Sequence, residues 1–511
     1  MKQLQIVAVM TVCSLAWTAS SAAQNNSASV TPVRAKGAKT KNATVPPPPV
    51  KPPAQLLFGT LPLSTHSVEA RTLAEKALDN YENVQLDECI AQAKQAAGKD
   101  PQFALAYAIW SFAARRDEPA TDALAKANAL AANAPPEEQL LVRWMVATQS
   151  SDLLPAISFM NDMLKRFPDN KHVLYLSAEW LYFQQDYDRS RKLFEKALQS
   201  DPKFPPSLNM LGYAYIETGD PDPFKAKAAL LRYAELLPDQ PNPHDSLGEI
   251  LRFSGDDEGS IVEYRKALQI SPTFYTSQLG VGETLTLMGR YDEARAEMDK
   301  AVAIAPTTRD KLHIEFQRVL IRFWEGKPEL GRQELVALEE KARDASDGYA
   351  QYDIGLGLAF LTASTDEELT QLSRLESIFS NPFNAMLEGD RHTALASILR
   401  EEVRLLSQLG KVQNAQDKIQ KLETLAKDTR DAIIENCYES SRGYALYAAG
   451  DYAGAADELA SDPQNPLVAR QIVLAYEKLG NKAQAEVDRT RWKYLRADSP
   501  QWFLAAQAPA N

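Results

Sequence analysis

Small and apolar positions recur at one fixed interval across residues 241–306. A first copy holds Leu247, Gly248, Leu251, Gly255, Tyr264, Ala267, Leu268 and Pro272. A second holds Val281, Gly282, Leu285, Gly289, Tyr291, Ala294, Met298, Ala301, Val302 and Pro306. Thirty-four residues separate Gly248 from Gly282, Gly255 from Gly289, Ala267 from Ala301 and Pro272 from Pro306. A period of this size marks a stacked repeat architecture.

Each copy predicts two antiparallel helices. Gly255-Asp256 and Gly289-Arg290 fit the end of the first helix, where glycine takes a left-handed conformation. Pro272 and Pro306 stop the second helix, because proline lacks an amide donor and restricts the residue before it. Gly248 and Gly282 fall inside the first helix, where glycine costs about 1 kcal/mol relative to alanine. That cost is offset if the absent side chain lets the second helix, with Ala267, Ala294 and Ala301, approach closely. One such helix pair has an apolar face too small to stand alone, and stacking buries a continuous core.

The pattern resembles the tetratricopeptide repeat (TPR) family, with a small residue at the eighth position, alanines at the twentieth and twenty-seventh and proline at the thirty-second. The closing prolines run Pro101, Pro135, Pro168, Pro202, Pro238, Pro272 and Pro306, a series 33 to 36 residues apart throughout. The resemblance implies an all-α solenoid, a right-handed superhelix of antiparallel helix pairs. Residues 70–306 hold seven in-phase repeats, the first of them degenerate. The register loosens over 307–380, where divergent helix pairs are expected. The pattern returns over 383–500 at Gly443, Gly450-Asp451-Tyr452, Ala455-Ala456 and Ala475-Tyr476. Trp492, Tyr494 and Trp502 are expected to close the end of the stack.

Before the repeats, residues 1–23 read as a secretory signal: Lys2, an apolar run from Leu4 to Ala19, then Ser21-Ala22-Ala23 as a small-residue cleavage site. Export to the periplasm or exterior is expected, with a bacterial envelope as the simplest destination. No later stretch is long and apolar enough to span a membrane. Residues 24–55 form a basic linker ending in a proline run, Pro46 to Pro53, broken by Val50 and Lys51, and are expected to be disordered and extended.

Charge sharpens this division. The chain carries a net −12, yet six basic residues and no acid precede residue 54, so the repeat body is more acidic still. Such a body repels nucleic acid, whose binding rests on phosphate neutralisation.

Chemistry-bearing motifs are sparse. His66, His172, His244, His313 and His392 show no metal-ligand spacing on one helix, and no HExxH, phosphate loop or GxSxG elbow occurs. No catalytic, cofactor or metal site is therefore expected. Cys89 and Cys437 lie far apart in the stack, are expected to be buried, and are not expected to pair with each other.

What remains is the concave face. The TPR resemblance assigns to it His172, Tyr175, Glu179, Tyr182 and Phe183 of the fourth repeat and Asn209 and Tyr213 of the fifth. It adds Asp245, Glu249, Arg252 and Phe253 of the sixth and Glu283 of the seventh. Tyrosines beside acids suit a binding surface for a basic or extended protein segment. Glu179, Glu249 and Glu283 stand where the family's carboxylate clamp would place asparagine, so a carboxylate-terminated ligand is not expected. A non-catalytic scaffold follows. A glycan-binding or polysaccharide-export role, with Tyr175, Tyr182, Tyr213 and Phe253 as stacking platforms, is the alternative. An enzyme site within 307–400 is a third reading. In a fourth, the basic linker lies across the acidic groove until a partner displaces it. Oligomeric state is not legible.

Overall fold

The computed structural model describes residues 63–507 apart from 115–119, 151–152, 218–220, 363 and 498. The expected signal and linker lie outside the described residues. These form twenty-five α-helices and no strand. The in-phase part pairs α1 (Val68–Glu82) with α2 (Leu86–Lys99), α3 (Ala104–Phe112) with α4 (Thr121–Ala131) and α5 (Pro136–Gln149) with α6 (Leu153–Arg166). It continues with α7 (Lys171–Phe183) and α8 (Tyr187–Ser200), α9 (Pro205–Glu217) and α10 (Pro223–Leu236), α11 (Asn242–Phe253) and α12 (Asp257–Ile270), and α13 (Tyr275–Leu287) and α14 (Tyr291–Ile304). Six of the seven second helices end two residues before the closing proline; α4, ending at Ala131, stops short of Pro135 by four.

The glycines act as their positions require. Gly255 and Gly289 turn the chain between paired helices at φ +81° and +76°. Gly248 faces the Tyr264 ring so closely that a Cβ would lie 2.9 Å from it, and at Gly282 a Cβ would lie 2.7 Å from Met298 Cγ. The partners of close approach are thus Tyr264 and Met298 rather than the alanines alone. In the fourth repeat Gln185 takes the left-handed turn at φ +55° without glycine. Asp186, Asp222 and Asp256 cap the helices that follow, each side chain accepting an amide of the first turn.

The helix pairs continue past residue 306 as α15 (Thr308–Trp324) and α16 (Pro328–Asp344), α17 (Gly348–Phe360) and α18 (Thr365–Phe379), and α19 (Glu388–Gln408) and α20 (Val412–Thr429). Then come α21 (Ala432–Ala448) and α22 (Tyr452–Leu459), α23 (Pro466–Lys478) and α24 (Lys482–Trp492), and the terminal α25 (Pro500–Gln507). Their lengths explain the loosened register. α15 and α16 have 17 residues each, α19 has 21 and α20 has 18, against 12 to 14 in the sixth and seventh repeats. Longer helices push the glycine and proline landmarks out of phase without breaking the pairing.

One core cluster runs from Leu63 to Leu251 and a second from Leu312 to Ala505. The terminal segment belongs to both. Tyr494 packs on the first, whereas Trp492, Phe503 and Ala505 join the second. Trp492, Tyr494 and Trp502 therefore do more than cover the last repeat: they carry the chain end back to the middle of the solenoid. Cys89 and Cys437 are buried free thiols.

Candidate functional site

The first helices of successive repeats meet along the concave axis, and there tyrosine hydroxyls donate to carboxylates. On α7, Tyr175 donates to Glu179 Oε1 at 2.9 Å, and Tyr81, from the end of α1, donates to Glu179 Oε2 at 2.8 Å. Tyr182 donates to Glu217, 35 residues on, and Tyr213 to Glu249, 36 residues on, at 2.9 Å. Tyr275 donates to Asp310 at 2.7 Å, again 35 residues on. Each of the last three bonds joins one repeat to the next. Between the sixth and seventh repeats, Arg252 Nη1 pairs with Glu283 Oε2 at 2.9 Å and Ser277 donates to Asp245 at 2.5 Å. Burial, partly countered by these hydroxyl donors, pushes the carboxyls of Glu179, Glu217 and Asp245 up to about 7.

These contacts change what the sequence-predicted residues do. His172, Tyr175, Glu179, Tyr182, Asn209, Tyr213, Asp245, Glu249, Arg252 and Glu283 are all buried, none more than 6% exposed. Phe183 and Phe253 are half-buried, Phe183 edge-on to the Tyr182 ring and Phe253 under the Arg252 guanidinium at 5.2 Å. The expected open surface is here a closed polar seam. The physical reason is curvature: the rotation from repeat to repeat brings Tyr182, Tyr213 and Tyr275 each onto an acid of the next first helix. Three of the four proposed stacking platforms, Tyr175, Tyr182 and Tyr213, have no free face of this kind. Asn209 Oδ1 is buried in the seam without a hydrogen-bond partner among the described residues.

The seam is closed at both edges. At the edge formed by the starts of the first helices, the end of α1 crosses over to α7. Glu82 holds His172, with both carboxylate oxygens 2.8 Å from Nδ1. A cavity of about 340 Å³ opens beside this pair, lined among others by Asp79, Asn83, Lys171, Phe204, Tyr233 and Asn242.

At the opposite edge, where first helices turn into second helices, the C-terminal segment lies across the repeats. Gln464 donates to the Glu217 carbonyl. Arg496 forks onto Asp257, with Nη2 2.8 Å from Oδ2, and also donates to the Arg252 carbonyl at 3.3 Å. Trp502 stacks on Trp492 (6.0 Å, 9°) and lies 6.1 Å from Trp324, whose ring meets Phe503 edge-on at 4.8 Å. The segment lying across the repeats is thus the C-terminal one; the linker considered for this role in the sequence lies outside the described residues.

Sequence reasoning missed Tyr81, Glu82, Asp257, Trp324, Gln464 and Arg496. For Tyr275 and Asp310 a signal existed, the same 35-residue tyrosine-to-acid offset. Nothing periodic links Arg496 to Asp257, 239 residues apart. In the 307–400 region Arg309 pairs with Asp347 at 2.9 Å, Tyr349 donates to Asp390 at 2.5 Å and Arg391 donates to the Phe379 carbonyl at 3.0 Å, whereas both ring nitrogens of the His313 side chain are buried without a hydrogen-bond partner among the described residues.

Residues 181–250 and 275–308 match models of the tetratricopeptide repeat. A curated relative, a UDP-N-acetylglucosamine–peptide N-acetylglucosaminyltransferase of Giardia intestinalis, is 23% identical over 141 residues, 27% of this chain. The chain spans 9% of that relative's length. Among solved structures, yeast Tom70 aligns over 83% of this chain and 90% of its own, at 14% identity and a TM-score of 0.43. A tetratricopeptide repeat protein from Parabacteroides merdae aligns over 54% of this chain and 93% of its own, at 15% identity and a TM-score of 0.35. No helix among the described residues is long and apolar enough to cross a membrane.

Proposed function

From the premise that the chain is a tetratricopeptide-repeat protein, we propose that it is an exported, non-catalytic scaffold whose partner is a protein segment carrying arginine and aromatic side chains. This segment binds along the edge where the chain's own residues 491–497 and 499–505 lie. The observation that supports the reading is the Arg496 contact. Its guanidinium forks onto Asp257 and caps the Arg252 carbonyl, a bidentate geometry that selects arginine over lysine. The Trp324 face beside it takes indole and phenyl rings, and buried aromatic and arginine anchors supply most of the energy of protein interfaces. The acidic body steers a basic segment towards this edge. The signal-like residues 1–23 support a cell-envelope location.

The test is in-cell crosslinking and mass spectrometry of the tagged chain beside two folded variants. Arg496→Ala/Trp502→Ala vacates the edge and is expected to capture more of an envelope protein than the parent does. Asp257→Lys removes the acceptor and is expected to capture none. Equal capture by all three forms overturns the reading.

A further inference from the structure

We propose that Asp79, Glu82 and His172 form a divalent transition-metal site, of the kind that takes zinc, at the mouth of the cavity beside α1 and α7. Asp79 and Glu82 stand three residues apart on the last turn of α1 and so share one side of it. His172 lies in the first turn of α7, 90 residues from Glu82, and the rotation accumulated over the intervening repeats brings the two together. One donor atom from each of the three lies within 4.8 Å of the other two. Zinc bonds of roughly 2.0–2.2 Å hold tetrahedral ligand atoms about 3.4 Å apart. Glu82 and His172, 2.8 Å apart, therefore open slightly, and Asp79 closes by little more than an ångström at most.

Three further features fit the assignment. The donor set is one imidazole and two carboxylates, which suits zinc and its first-row neighbours better than calcium or magnesium. Two of the ligands are buried while Asp79 is exposed, and Asp79 and Glu82 line the cavity of about 340 Å³, which gives room for a fourth ligand on the carboxylate side. That is the layout of a three-ligand site with an exchangeable fourth position. Charge balances as well. Two carboxylates and a neutral imidazole cancel a divalent ion, whereas a protonated imidazole alone leaves the three residues one charge negative. Lys171, which lines the same cavity, is turned towards Asp201, with Nζ 2.6 Å from Oδ2, and lies over the Phe204 ring at 4.8 Å.

The ion would tie the first repeat to the fourth. Loading would then reinforce the closed form of the concave axis, whose other link across this gap is Tyr81 on Glu179. This proposal stands independently of the partner assigned above.

The experiment uses the full chain stripped with EDTA, then titrated with zinc chloride by calorimetry and analysed for bound metal by mass spectrometry. One zinc per chain is expected, at micromolar affinity or tighter, with a rise in the melting temperature. Asp79→Asn, on the exposed side, is expected to weaken binding at least tenfold while leaving the melting temperature in EDTA unchanged. His172→Ala is expected to abolish binding. If His172→Ala melts early in EDTA, Asp79→Asn decides alone. Absence of saturable one-to-one binding, or binding that Asp79→Asn leaves unchanged, overturns the proposal.

Discussion

Two parts of the molecule bury carboxylates by different means. Along the concave axis of α7–α15, Glu179, Glu217, Glu249 and Asp310 are each met by a tyrosine hydroxyl, although Arg252 also pairs with Glu283 at 2.9 Å and with Glu249 at 3.5 Å. In the long helices α19–α21 the buried acids meet cations. Arg400, fully buried, pairs with Asp462 and with Glu401 at 3.1 Å. Arg404 bridges Glu401 at 2.7 Å and Glu368 at 2.6 Å, and Lys418 holds Glu402 at 2.7 Å. A hydroxyl donates whether or not its acceptor is ionised, so the axis tolerates protonation. A guanidinium favours the anion, so the C-terminal centre holds its acids ionised to lower pH than the axis does. Burial lifts Glu179 and Glu217 to about 7, but Asp462 only to about 6, because Arg400 pulls it back.

The largest effect should come from breaking the ionic centre. Arg400→Ala leaves Asp462 buried without its counter-charge and Glu401 with Arg404 alone, and an uncompensated buried charge typically costs about 3–5 kcal/mol. Urea unfolding of the full chain measures it. Adding Asp462→Asn to Arg400→Ala is expected to recover part of the loss, since one uncompensated charge is then gone. A loss under 1 kcal/mol would place this centre on the same footing as the axis.

The axis should reveal itself through pH. Glu179, Glu217 and Asp245 hold their protons in the native state up to about pH 7. The unfolded chain releases them near ordinary carboxyl values. Between those limits unfolding releases protons, so stability falls as pH rises to about 7 and then levels. Glu263, Glu297 and Glu376, whose cationic or hydrogen-bonding partners hold them below the usual range against burial, work the other way and cost stability at still lower pH. The melting temperature is therefore expected to be higher at pH 5 than at pH 8. Tyr182→Phe removes the donor that favours ionised Glu217, so its cost should be about 1–3 kcal/mol at pH 8 and less at pH 5. The same cost at both pH values would show that the hydroxyl does not favour ionised over protonated Glu217.

How much of this was legible follows the distance over which each feature is decided. The helix pairs of residues 70–306 are set within one period, so Gly255, Gly289 and the proline series disclosed them. The inward direction of Tyr182, Tyr213 and Glu249 was equally local, because it depends on position within a first helix. Their burial was not. It depends on a small rotation per repeat, added over several repeats, and no single repeat encodes that sum. The same holds for Glu82 on His172 and Arg496 on Asp257, 90 and 239 residues apart. A tyrosine followed by an acid 35 or 36 residues later was the part of the seam the sequence did carry.

The smallest stability effect tests whether the edge closure belongs with the axis or stands apart. Arg496 and Asp257 are about one-fifth exposed, at 20% and 16%, so their attraction is screened far more than that of Arg400. Arg496→Ala is expected to lower stability by only about 1 kcal/mol. The informative readout is local. Hydrogen exchange should quicken in α25 and in the α11–α12 turn, while α19–α21 stay protected, because opening free energies differ between parts of one fold. If α7–α13 also exchange faster, the C-terminal segment and the tyrosine seam open as one unit, and a partner that displaces the segment would also gain access to the axis. If exchange changes only at the edge, the seam is structural whatever binds beside it.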